Sequence, residues 1–61
     1  MPNLSAKELA AIEASLTSEQ HLVKKFEAMA VMCQDPKIRG DLQSVAQKHQ
    51  QHADSLAAFL Q

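Results

Sequence analysis

Two runs of apolar residues recur along the chain at alternating spacings of three and four, separated by a single Asp-Pro step. The first run is Leu9, Ile12, Leu16, Glu19, Val23, Phe26, Ala30 and Cys33; the second is Ile38, Leu42, Val45, His49, His52, Leu56 and Phe59. This period belongs to amphipathic helices that bury one stripe. Leu22 and Met29 widen the first stripe, and Ala46, Ala53 and Leu60 widen the second. A stripe three positions wide per heptad suits a helix bundle better than a two-stranded coiled coil.

The element ends are also written in the chain. Ser5-Ala6-Lys7-Glu8 is a capping box, with Leu4 and Leu9 at the spacing of a hydrophobic staple. The pattern predicts a first helix over about 5–34, a turn near Asp35 and a second helix over about 36–60. Pro36 disfavours a helical residue before it yet suits the first position of a new helix, which makes Asp35 the N-cap. Thr17-Ser18-Glu19-Gln20 repeats the capping pattern, but the apolar period continues through it and predicts unbroken helix. Gly40 falls in the second turn of the second helix and weakens it slightly. So short a connection makes the helices antiparallel neighbours. The expected fold is all-α: one helical-hairpin domain over 1–61.

Composition agrees and adds a constraint. Hydrophobic residues make up 46% of the chain, with one Gly, two Pro and no Trp or Tyr, and helix formers dominate. A chain of 61 residues buries only about 60% of its unfolded surface, so a monomer is marginal. Its one cysteine rules out an internal disulfide. Two helices cannot cover both stripes between them. Pairing two hairpins into a four-helix bundle does, and the expected assembly is a homodimer. Six Lys+Arg balance seven Asp+Glu, which excludes a basic nucleic-acid surface. No apolar run approaches the roughly 18 residues of a membrane span. The opening Met-Pro-Asn-Leu-Ser has neither a basic region nor an apolar stretch, so no secretion signal is read and the expected location is cytoplasmic.

The chemistry gathers at one level. Of fifteen seam positions only Glu19, His49 and His52 are polar. Glu19 lies 16 residues before Asp35 and His52 lies 17 after it, with His49 one turn nearer the loop. In an antiparallel hairpin these three converge near the middle of the first helix. Buried groups of this kind satisfy one another or bind something. Two imidazoles spaced i, i+3 on one face, met by a carboxylate from the facing helix, offer a ligand set for Zn, Fe, Mn or Cu. Two readings stand side by side: a metal site, and a polar layer that fixes register and oligomeric state. Gln20 is placed to donate to the layer, with Glu13 and Glu27 at the bundle rim. His21, Lys24 and Lys25 read as solvated, Cys33 as a buried inert thiol, and Met29, Met32 and Phe26 as core or interface packing. No phosphate loop, cysteine pair or nucleophile elbow occurs, and no catalytic residue is assigned.

The stretch from Glu19 to Phe26, the Asp35-Pro36 turn and the run Ala46-Gln47-Lys48-His49-Gln50-Gln51-His52 resemble small spore-coat F-type proteins of spore-forming bacteria. The resemblance covers nearly the whole chain. It implies a ferritin-like half-bundle that dimerises, a spore-coat location, and other spore-coat proteins as partners. In ferritin-like di-metal proteins the second helix supplies Glu-x-x-His. Glu19 matches the first-helix Glu and His52 the motif's His, but His49 stands where the motif has Glu. The leading expectation is therefore a small dimeric structural or interaction protein with a central Glu/His layer open to metal. The alternative is a ferritin-like di-metal redox or metal-handling protein with its site formed across the dimer.

Overall fold

The computed structural model describes residues 3–61. Met1 and Pro2, which head the stretch read for a secretion signal and the domain range 1–61, lie outside the described residues. Two helices, α1 (Ala6–Met32) and α2 (Pro36–Ala58), form a hairpin with no strand among the described residues. The Ser5 hydroxyl accepts from the Glu8 amide at 3.0 Å, and a Glu8 carboxylate oxygen accepts from the Ser5 amide at 2.9 Å. That reciprocal pair satisfies two donors the first turn would otherwise leave free. Helix α1 is continuous through Thr17, whose hydroxyl donates back to the Glu13 carbonyl at 3.1 Å.

Both helices stop two residues short of the ends that periodicity predicts. Pro36 forces Asp35 into an extended conformation, φ −74° and ψ 120°, and Cys33 is already extended at φ −89° and ψ 126°. The Asp35 carboxylate accepts from the amides of Lys37 and Ile38 at 2.9 and 3.1 Å, which starts α2. Arg39 closes the turn from the other side. Its Nε donates to the Cys33 carbonyl at 3.1 Å and its Nη2 to that of Gln34 at 3.2 Å, placing a cation at the negative end of α1. Past Ala58 the chain tightens into a turn, the Leu60 amide donating to the Ala57 carbonyl.

Val23, Ala30, Ala46 and Ala53 are the buried side chains. Ala46 and Ala53 were expected as flanks of the second stripe, not its centre. The hairpin closes on its small residues because only they let two helix backbones approach without a partner layer. At 100° per residue about this contact line, the two sides of the hairpin differ in kind. One carries Leu22, Phe26, Met29, Ile38, Val45 and Leu56, half-buried or exposed. The other is a polar groove lined by Gln20, Glu27, Arg39, Gln43 and Gln50 around Val23. The molecule measures 46 × 15 × 12 Å, with a radius of gyration of 14.3 Å. A compact chain of this length would have about 10.5 Å. One apolar face is left open.

Candidate metal centre

Glu19 faces α2 from the middle of α1, and its carboxylate reaches both histidines. Its Oε2 lies 2.8 Å from His49 Nδ1 and 3.4 Å from His52 Nδ1. Only the first contact has full hydrogen-bond geometry; the second is longer and weaker. The bond to His49 holds the Glu19 carboxyl below its ordinary value, opposed by partial burial and helped by the charges of His49 and His52 and by the weaker His52 contact. An ionised carboxylate is an acceptor only, so His49 donates from Nδ1.

The imidazoles are held unequally. The ring of His49 stacks on Phe26 with centroids 5.9 Å apart and planes 17° from parallel. It also meets the His52 ring edge-on at 5.8 Å and 88°. Glu19 and His49 keep 20% and 23% of their side-chain surface, whereas His52 keeps 64%. His52 therefore projects from the open apolar face. One ligand atom from each of Glu19, His49 and His52 lies within 4.8 Å of the others, so the group can hold a metal ion. Two imidazoles and a carboxylate suit zinc, copper, iron or manganese.

The Phe26–His49 stack is not what counting from the turn suggests, which puts Phe26, nine residues before Asp35, level with Val45, ten after it. Helical side chains lean toward their own N-terminus. That lean carries Phe26 away from the loop and His49 toward it, so residues at different levels meet. Other expectations also change. Gln20 lines the polar groove, across the contact line from the cluster, and makes no hydrogen bond to it. Met32 is 81% exposed on the outer surface of α1, so it packs in no core of the hairpin. Cys33 is half-buried, its thiol donating to the Asp35 carbonyl at 3.6 Å. His21, Lys24 and Lys25 are exposed.

No protein-family model, curated protein or solved structure matches the chain. No helix among the described residues is long and apolar enough to cross a membrane. The donor set does not fit the carboxylate-bridged di-metal centre that the ferritin-like resemblance implies. It holds one carboxylate per chain, and His49 occupies the position from which a second would bridge.

Proposed function

We propose that the chain is a structural or interaction module that completes its core by pairing with a second copy of itself. The result is a four-helix bundle whose middle layer carries Glu19, His49 and His52 from both chains. The observation that carries this reading is the elongated hairpin with one apolar face uncovered. The hairpin exposes 4678 Å², where a compact monomer of 6.7 kDa would expose about 3900 Å². The excess, about 800 Å², is the area each partner contributes to a standard stable interface. On the open side Met29 and Ile38 are 41% and 51% exposed, beside the half-buried Leu22, Phe26, Val45 and Leu56. A second hairpin is the occupant that matches this stripe in length and period, and an isologous two-fold contact leaves no further face open.

The Glu/His layer then sits inside the bundle, where it sets register and takes a transition-metal ion (Zn, Cu, Fe or Mn). The spore-coat resemblance extends this to a building block of a spore coat, with other coat proteins at its outer surfaces. Substitution by face tests the pairing. Met29→Glu and Ile38→Glu place charge on the open face; Val31→Glu and Met32→Glu place it on residues 85% and 81% exposed elsewhere. Light scattering after gel filtration should give monomers for the first two and dimers for the last two. Dimers throughout would show that this face is not the interface.

A further inference from the structure

We infer that a divalent ion of the zinc class, held by Glu19, His49 and His52, controls the pairing of two copies. This rests on the dimer reading and adds its regulation. The two imidazoles of the cluster are held unequally. Glu19 Oε2 is committed to His49 at 2.8 Å, and the same oxygen makes only a longer, weaker contact with His52 Nδ1 at 3.4 Å. While the hairpin is alone this costs nothing, because His52 keeps 64% of its side chain in water. His52 is, however, on the face that a second copy covers. Pairing strips that water and leaves the imidazole with only a long contact to a carboxylate oxygen already committed to His49, and burying a poorly satisfied polar group is unfavourable.

A metal ion removes the conflict. It takes one nitrogen from each imidazole and an oxygen from Glu19, three donors already within 4.8 Å of one another. His52 then enters the interface as a ligand rather than as a poorly satisfied polar group. The carboxylate offsets part of the ion's charge, and because each chain brings its own three-donor set the stoichiometry is one ion per chain. Because the ion stabilises the form that pairs, pairing tightens ion binding by the same factor. Three protein donors leave a fourth tetrahedral position, which water fills in the hairpin.

Sedimentation equilibrium of the full chain, with Zn(II) and with a chelator, tests this on the natural sequence and on His52→Leu. For the natural chain, Zn(II) should tighten the dimer at least about tenfold, saturating at one ion per chain. His52→Leu removes that group and retains the Glu19–His49 bond and exposed His21. It should pair equally well with and without Zn(II), and more tightly than the metal-free natural chain. If His52→Leu pairs while the natural chain ignores Zn(II), the regulation fails and the dimer reading survives. If Zn(II) tightens both chains alike, the ion acts elsewhere and the assignment to His52 is overturned. If both remain monomers under every condition, the regulation and the dimer reading fail together.

Discussion

Phe26→Ala measures how completely the open face is covered. In the hairpin Phe26 is only half-buried, its ring stacked on His49 at 5.9 Å. Truncating a fully buried Phe costs about 3–5 kcal/mol; for a half-covered ring about half of that, roughly 2 kcal/mol, comes from the chain's own contacts. The stack on His49 supplies about 0.5–1.5 kcal/mol of it. A second copy would cover the remaining surface and restore the whole penalty, so the two cases differ by more than the error of a careful measurement. The assay is urea unfolding followed by far-ultraviolet circular dichroism at several protein concentrations, fitted to a folded dimer and two unfolded chains. Paired hairpins predict a loss of about 3–5 kcal/mol per chain, with a midpoint that rises with concentration. A loss of about 2 kcal/mol or less, with a fixed midpoint, would refute the claim that another chain covers Phe26.

Two further perturbations probe single elements. A Cβ built on Gly40 meets nothing within 4 Å, and its φ is not positive. Gly40→Ala should therefore stabilise α2 by about 0.8–1 kcal/mol and raise the melting temperature by several degrees, whereas a lower melting temperature would show hidden crowding. Glu19 is held below 4.5 in the folded chain, so the unfolded chain binds the extra proton as the medium is acidified. Its contribution is complete above pH 4.5 and is lost as pH falls through the lowered value, so Glu19→Gln should flatten the acid limb of stability in the presence of chelator. Glu8, lowered chiefly by accepting from the Ser5 amide, remains as a shallower slope. Parallel acid limbs in the two chains would contradict the role given to Glu19.

Much of the hairpin is legible in the chain because its signals are local. Ser5 and Glu8 are three residues apart and act on each other directly, and Pro36 acts on the residue before it. The meeting of Glu19 with His49 and His52 is legible for another reason: in an antiparallel pair, counting from the turn converts sequence distance into level. The rotation of α2 is not legible in this way. A heptad template weighs Val45 above Ala46 because it scores hydrophobicity, whereas two unaccompanied helices close on size and choose Ala46 and Ala53. The same rotation turns His52 outward, so a residue assigned to the seam becomes the most exposed member of the cluster. Arg39 was missed because its partners are backbone carbonyls, which leave no trace in side-chain periodicity. The end of α1 at Met32 has the same origin: no glycine marks it, and the carbonyls freed there are met by Arg39 from the next helix.

The proposed bundle requires the apolar face of the hairpin to be closed by an identical face. Sedimentation equilibrium of the unaltered chain, saturated with Zn(II) and measured from nanomolar to high micromolar concentration, tests it most directly. Pairing of two copies predicts a mass that rises with concentration to a plateau at twice the 6.7 kDa of one chain and goes no higher. A helical, cooperatively folded species that stays at the mass of one chain over the whole range would contradict it.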